Sequence, residues 1–306
     1  MIANFGARRD EAIQMSEFQR MVLEIPQEYS IFLGGGRGGG KSFCCALLCL
    51  KHAAEFGNRA HMLYLRRTHR GTQDFAAITM EVFDKVYGTA ARFNSADGFW
   101  KLPNGATLEV NQCETQADLF KFTGRSKSLI IVDEAGHYPD PMLIDRMRSN
   151  LRSIATVPTR LVLCANPGDS GHGWIQRRYI NPAMPWRPFL EKQTGVMFVS
   201  CPSTFIQNEF IDQSAYKRDL IAATSTDLEL QKAWLEGSWA IARGAFFGAV
   251  LDESINGIAP WEGVTARTLR AKKKRVKTAD GVYLEGFGSD EWRWFIAHDF
   301  GTAAPS

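Results

Sequence analysis

The residues with the clearest chemical potential form one segment, residues 35–42, with the sequence GGRGGGKS. It satisfies the pattern G-x-x-x-x-G-K-[ST] at every fixed position. Glycines let a loop turn its backbone N–H groups inward around phosphates, and the lysine and hydroxyl reach the β- and γ-phosphates and Mg²⁺. We therefore predict a phosphate-binding P-loop; the alternative is a plain glycine turn before an ordinary helix. Its predicted nucleotide-binding residues are Gly35, Gly36, Arg37, Gly38, Gly39, Gly40, Lys41 and Ser42.

A second segment has the composition of the other half of such a site. Residues 128–132 form an apolar, β-branched run that is typical of a buried strand, and Asp133 and Glu134 follow it directly. Asp133 is predicted to hold Mg²⁺ together with Ser42, and Glu134 to polarise an attacking water as a general base. The alternative is a buried strand that ends in solvated acids.

Strands and helices alternate around these two segments, which indicates an α/β fold with a parallel sheet covered on both faces. The glycine loop follows a predicted strand at 29–33. Residues 99–110 predict a β-hairpin around a Pro-Asn-Gly turn. Further predicted elements are helices at 10–25, 72–87, 142–151 and 212–237, and strands at 61–65 and 159–164.

The composition is that of an ordinary globular protein, with 45% hydrophobic and 23% charged residues among 306. A formal net charge of +3 is too small to indicate a nucleic-acid partner by itself. The six cysteines form no C-x-x-C pair, so we expect small reduced core residues rather than disulfides or zinc ligands. Because there is no apolar run of about 18 residues and no signal peptide, we expect a soluble intracellular protein.

The C-terminal part has a different character. A basic run at 272–275 predicts a solvated loop, with a nucleic-acid contact as the alternative. The last apolar run, residues 292–297, is followed by Asp299. We interpret this run as a new strand that ends in an acid.

Together these motifs resemble those of the large terminase subunit of tailed double-stranded DNA bacteriophages. The resemblance rests on a P-loop with an internal arginine, GGGRGGGKS, on the acidic strand LIIVDEA and on the segment CANPG. The segments STFIQNEF and WLEGSW resemble the family's lid subdomain, and FIAHDFG resembles the first strand of its RNase H-like nuclease. The resemblance implies a RecA-like P-loop NTPase with a mainly parallel sheet sandwiched by helices, a small lid and an incomplete nuclease.

The resemblance also implies roles for residues outside the P-loop glycines and the acidic pair. Gln19 would contact the adenine side of the nucleotide, and Asn166 would couple hydrolysis to movement; the alternatives are a surface glutamine and a turn asparagine. Arg37 could act as an arginine finger in cis, or be a solvated loop arginine, and Arg125 could act as a finger in trans. The sequence does not separate the two mechanisms. Rival finger residues are Arg148 and Arg152.

The implied domains are an ATPase core at 1–200, a lid at 201–245, a linker at 246–288 and the start of a nuclease at 289–306. Asp299 would be one of several acids that bind the nuclease metals. One carboxylate cannot hold two metal ions, so we expect a truncated chain without nuclease activity, whose last residues lack the rest of their sheet.

The function that the resemblance implies is an ATP-hydrolysing motor that moves viral DNA into a capsid. Its cofactors would be ATP and Mg²⁺. Its partners would be double-stranded DNA, the portal protein, the small terminase subunit and further copies of the chain in a homo-oligomeric ring, in the host cytoplasm and without a membrane. The alternatives are another P-loop DNA-dependent ATPase, such as a helicase or recombination ATPase, and a non-catalytic nucleotide-binding regulator.

Overall fold

The structure, a computed structural model, describes residues 13–154, 156–240, 276–277 and 283–284. Its strands are β1 Ser30–Gly35, β2 His61–Arg66, β3 Arg92–Asn94, β4 Phe99–Lys101, β5 Thr107–Gln112, β6 Leu129–Val132, β7 Arg160–Cys164, β8 Pro188–Glu191, β9 Val196–Ser203, β10 Val276–Lys277 and β11 Tyr283–Leu284. Its α-helices are α1 Glu17–Glu24, α2 Lys41–Phe56, α3 His69–Tyr87, α4 Met142–Met147, α5 His172–Ile175, α6 Gln213–Ala223 and α7 Leu228–Glu236.

A nine-stranded sheet organises the described residues, in the order β3-β4-β5-β2-β6-β7-β1-β9-β8. The six strands from β5 to β9 in this order are parallel, and the strands at both edges are antiparallel. The predicted α/β fold with a mainly parallel sheet is confirmed. The hairpin prediction is confirmed as well, because β4 pairs with β5 in antiparallel register.

The parallel strands alternate their side chains between two hydrophobic clusters, one on each face of the sheet. On β1, Ile31 and Leu33 pack with the cluster that includes α2 and α3, whereas Phe32 packs with the opposite cluster. The same alternation occurs on β2 with Tyr64 and Leu65. This period of two is the pattern of strands buried on both faces. All six cysteines are buried and none forms a disulfide, as predicted.

The sheet topology places the carboxyl ends of five central strands at one edge. The register pairs Leu33 with Cys164, Leu65 with Val132 and Gly35 with Ser203. The residues that follow β1, β2, β6, β7 and β9 therefore emerge side by side. In open α/β sheets this edge is where ligands bind.

Three predicted helices are too long. The helix predicted at 142–151 ends at Met147 and continues as a short 3-10 helix over Arg148–Asn150. The helix predicted at 10–25 begins only at Glu17. Ser16 and Gln19 form a capping box there, which makes Ser16 the N-cap and sets the start of the helix. The helix predicted at 212–237 consists of α6 and α7. A new N-cap separates them, in which the Asp227 carboxylate accepts a hydrogen bond from Leu230 N.

The chain divides into two compact units, Met1–Ile241 and Ala242–Ser306. The first unit holds the large sheet together with α6 and α7, the helices of the predicted lid. In the second, β10 and β11 pair in antiparallel register. The predicted boundary between core and lid stays a prediction. The basic run at 272–275, the stub at 289–306 and Asp299 lie outside the described residues. Among those residues, no helix combines the length and the apolar character that a membrane span requires.

Candidate nucleotide site

The glycine loop connects β1 to α2 at the carboxyl edge of the sheet. Gly35, Gly38 and Gly40 have φ angles of +97°, +76° and +74°, which side-chain-bearing residues rarely adopt. A Cβ atom on Gly35 would also lie 2.2 Å from the carbonyl oxygen of Ser203. The backbone of this loop therefore requires glycine, and its N–H groups precede the N-terminus of a 16-residue helix, where anions bind favourably.

Lys41 is buried beneath this loop. Its Nζ donates a hydrogen bond of 2.6 Å to the carbonyl oxygen of Gly36. Burial lowers the pKa of Lys41 to about 8, against the opposing effect of Cys164 and Asp133. The ammonium group is poorly solvated and retains two further N–H donors, so it is suited to bind an anion such as phosphate.

Ser42 and Asp133 come together from α2 and β6. Ser42 Oγ donates to Asp133 Oδ2 at 3.0 Å, and Asp133 Oδ1 accepts from Glu134 N at the same distance. Hydroxyl and carboxylate oxygens are the ligands that Mg²⁺ prefers. This pair fits a magnesium ion bound together with nucleotide phosphates, at the end of the strand where the sequence predicted it.

Glu134 adopts a left-handed backbone conformation, with φ of +54°. For a residue with a side chain this conformation is uncommon, and such strain is concentrated at functional sites. The turn that follows Glu134 is hydrogen-bonded to a second segment of the chain, because Gly171 N donates to Gly136 O at 2.7 Å. His137 Nδ1 lies 3.4 Å from Glu134 Oε2. The carboxylate of Glu134 thus lies at the same sheet edge as the glycine loop.

Arg66, the last residue of β2, joins the two carboxylates. Its Nε and Nη2 atoms donate to Asp133 Oδ2 at 3.2 and 3.0 Å, and Nη2 lies 3.4 Å from Glu134 Oε1. Tyr64 OH donates to the same oxygen of Asp133 at 2.7 Å. Burial lowers the pKa of the Arg66 guanidinium, but Asp133, Tyr64 and Glu134 outweigh burial and raise it above its usual value. The sequence analysis predicted a strand that ends close to Arg66, but it assigned neither Arg66 nor Tyr64 to the site.

With this geometry established, the comparisons with known proteins decide the family. The sequence model of the family "Phage terminase large subunit" matches residues 27–238. The chain belongs to the phage terminase large subunit family. No curated protein matches the sequence.

Solved terminase structures share the fold. The large terminase of a thermophilic bacteriophage in complex with ADP superposes with a TM-score of 0.59 at 15% identity, over 79% of this chain and 57% of that chain. The same phage protein in complex with ATP-gamma-S gives 0.58 at 14% identity, over 79% of this chain and 56% of that chain. The present chain thus spans a little over half the length of that terminase.

Arg37, the arginine inside the glycine loop, contacts helix α7. Its backbone N donates to Trp234 O at 3.1 Å, and its guanidinium carbon lies 3.8 Å from the centre of the Trp234 ring. Arg37 Nε is buried and has no hydrogen-bond partner within the described residues. The loop and α7 are therefore in direct contact through this cation–π pair.

Gln19 and Asn208 both hold the P-loop backbone. Gln19 is buried; its Nε2 donates to Gly40 O at 3.3 Å, and its Oε1 accepts from Ser16 N at 2.9 Å. Asn208, which sequence reasoning missed, donates from Nδ2 to Gly38 O at 2.7 Å. The sequence S-x-x-Q at 16–19 could have revealed the capping role of the glutamine.

Asn166 lies two residues after β7 and beside β1, because Ala165 N donates to Leu33 O at 3.1 Å. Its amide oxygen is buried and accepts no hydrogen bond from the described residues. A buried amide group without a partner is costly and is therefore suited to a ligand or to a second arrangement of the loop.

The other three candidate finger arginines differ in environment. Arg125 precedes the amino end of β6, and its side chain is 56% exposed while Nη1 donates to Glu109 Oε1 at 2.9 Å. Arg148 is mostly buried, with Nε 3.6 Å from Asp145 Oδ1. Arg152 is exposed. The structure does not bring Arg125 to this chain's own Asp133, which follows the opposite end of β6.

Proposed function

We propose that this chain is the ATPase part of a viral DNA-packaging motor, which hydrolyses ATP with Mg²⁺ to move double-stranded DNA into a capsid. The observation that carries the proposal is the hydrogen bond between Ser42 Oγ and Asp133 Oδ2, beside a strained Glu134. It joins the glycine loop to the acidic strand in the geometry of a nucleotide-hydrolysing site. Membership of the terminase family supports the biological process.

Each residue of the candidate site has its own role in hydrolysis. Lys41 and the loop N–H groups bind the β- and γ-phosphates, and Ser42 with Asp133 would hold Mg²⁺, which would supply charge neutralisation. Glu134 orients the attacking water and accepts its proton. Asn166 responds to the γ-phosphate from the neighbouring strand end.

Two arginines hold parts of this site and of α7 in place. Arg66 donates to Asp133 and lies 3.4 Å from Glu134, and so holds both carboxylates beside the glycine loop. Arg37 lies on the lid residue Trp234. We infer that nucleotide binding draws Arg37 from Trp234 to the γ-phosphate. Hydrolysis is thereby linked to movement of the lid.

The assembled motor supplies the remaining parts. Arg125 is exposed and reaches the site of a neighbouring subunit as a finger in trans, in a ring on the portal. The small terminase subunit delivers the DNA, in the host cytoplasm. A nuclease domain, to which Asp299 would belong, would cut the DNA.

The test is hydrolysis of Mg·ATP by the purified chain. Lys41→Ala removes the buried ammonium and should abolish both nucleotide binding and phosphate release. Lys85→Ala is the matched control, because Lys85 forms only an exposed ion pair with Glu81 on α3. Unchanged ATP binding by Lys41→Ala would refute the assignment of the phosphate site.

A further inference from the structure

Ser203 ends β9 directly beside the glycine loop. The register pairs it with Gly35, and its side chain lies against Gly39, where an added Cβ atom would be 2.3 Å from Ser203 Oγ. Ser203 is only 1% exposed, and its Oγ atom is buried without a hydrogen-bond partner in the described residues. A buried hydroxyl in this state costs free energy and is rare in folded proteins. The free protein therefore gains no stability from it.

Ser203 continues an apolar row of side chains on β9. Val199 and Cys201 precede it at two-residue spacing, and both are buried in the hydrophobic cluster that includes α2. Alternate residues of a strand share a face of the sheet, so Ser203 lies on this face as well. An alanine would fit this row without a polar atom to remove from water. The packing of the sheet thus gives no reason for a hydroxyl.

Other buried polar atoms around the loop are in the same state. Arg37 Nε, Trp234 Nε1 and Asn166 Oδ1 also lack hydrogen-bond partners within the part of the chain that the structure describes. Arg37 belongs to the loop and stacks on Trp234. Asn166 and Ser203 lie at the carboxyl ends of β7 and β9, the two strands that flank β1. Unpaired polar groups that surround one segment are typical of a site that binds a ligand or adopts a second arrangement.

We propose that Ser203 is a positioning residue for nucleotide binding, which holds the glycine loop in the arrangement that the loop adopts around the phosphates. The inference rests on the proposed function. When the loop N–H groups turn to the phosphates, the loop backbone shifts against Ser203. The hydroxyl then forms a hydrogen bond with that backbone, since it can rotate to donate or to accept. Ser203 thereby favours the bound arrangement over the free one.

The substitution Ser203→Ala should change stability and affinity in opposite directions. The free protein loses an unpaired polar atom, so its thermal midpoint should rise by about 2–4 °C. The affinity for Mg·ATP should fall by about 2- to 10-fold, the equivalent of one neutral hydrogen bond. The affinity for Mg·tripolyphosphate should fall by the same factor, since the loop binds only phosphates. Differential scanning calorimetry and isothermal titration calorimetry measure the two quantities.

Ser30→Ala is the matched control, at the opposite end of β1. Ser30 is also buried, but its Oγ accepts a hydrogen bond from Leu161 N at 3.2 Å. Its substitution should lower the thermal midpoint and leave both affinities unchanged, because the hydroxyl is paired in the free protein and lies away from the loop.

Three results with Ser203→Ala would overturn the proposal. Parental affinities for both ligands would show that the hydroxyl does not act on the loop. A thermal midpoint below that of the parent would show that the hydroxyl already has a partner in the free protein. A loss of affinity confined to ATP would show that it acts on the base or the ribose instead.

Lys41→Ala distinguishes failure of this proposal from failure of the proposed function. It should lose tripolyphosphate and ATP alike. If binding depends on Lys41 while Ser203→Ala binds like the parent, the inference about Ser203 fails and the phosphate site stands. If tripolyphosphate binding does not depend on Lys41, the phosphate site itself is wrong, and the role of Ser203 fails with it.

Discussion

Arg66 Nη2 lies 3.0 Å from Asp133 Oδ2, the same oxygen that accepts the hydroxyl hydrogen of Ser42. One carboxylate oxygen thus connects the end of β2, the start of α2 and the end of β6. Both side chains are largely shielded from water, with exposed fractions of 14% and 6%. The pair therefore supports the fold and controls which partner Asp133 can bind.

Replacing Arg66 should affect stability and turnover. Arg66→Ala leaves a buried carboxylate without its cation, which costs about 3 kcal/mol of the free energy of unfolding. Arg66→Lys should recover part of that stability but not turnover, because one ammonium cannot bridge Asp133 and Glu134 as a guanidinium does. Urea denaturation and phosphate release measure the two effects. Arg59→Ala, on an exposed arginine, is the control. Parental turnover in Arg66→Ala would exclude a role in positioning the carboxylates.

The depressed pKa of Lys41 predicts a pH-dependent affinity. Burial lowers this pKa to about 8, whereas bound phosphate favours the ammonium form, so binding above that pH takes up a proton. Affinity for Mg·ATP should fall between about pH 8 and 9, by up to tenfold per unit. Lys41→Arg stays charged and should lose this dependence. Calorimetry at several pH values measures it, and parallel pH profiles of the two proteins would contradict it.

The lowered pKa of Lys41 also affects the free energy of unfolding, but in the direction opposite to its effect on ATP affinity. Between about pH 8 and the usual lysine value of 10.5, the unfolded chain binds more protons than the folded chain. The contribution of Lys41 to the free energy of unfolding therefore rises with pH in this window. Deprotonation of Lys41 therefore does not destabilise the fold above pH 8. A loss of affinity in this range cannot be explained by unfolding that the titration of Lys41 causes.

Arg125 should act between subunits. A finger contributes roughly 10³–10⁵ in rate in other phosphoryl-transfer systems, so Arg125→Ala should remove most of the portal-stimulated ATPase activity and leave nucleotide affinity intact. Stability should fall by less than about 1 kcal/mol, because the Arg125 side chain is more than half exposed. Its partner Glu109 also keeps its bond to Lys127.

Mixed rings distinguish action in trans from action in cis. Rings that combine Arg125→Ala with Glu134→Gln subunits should regain activity, since one subunit supplies the finger and the other the site. Arg152→Ala, at the exposed rival position, should behave like the parent. Absence of rescue together with weakened ATP binding in Arg125→Ala would indicate a role within one subunit.

The central site could be predicted from sequence because its parts depend on local rules. The glycine pattern fixes the backbone at 35–42, and an apolar run that ends in Asp133 fixes a strand end. Parallel strands bring their carboxyl ends to one edge, so the contact of Ser42 with Asp133 follows.

The contacts that sequence reasoning missed depend on the order of strands and on packing. Arg66 reaches Asp133 only because β2 lies directly beside β6. Trp234 meets Arg37, and Asn208 meets Gly38, only because chain segments far apart in sequence fold back on the loop. No short sequence pattern predicts these contacts between residues far apart in the chain.

Phosphate release by Glu134→Gln at saturating Mg·ATP tests the proposed mechanism most directly. The substitution removes the group that accepts the proton of water and leaves Lys41, Ser42 and Asp133 in place. Turnover should fall by about 10²–10⁴-fold, while ATP affinity stays at the parental value. Glu114→Gln, at an exposed carboxylate just after β5, should turn over normally. Turnover by Glu134→Gln equal to that of the parent would show that Glu134 is not the base.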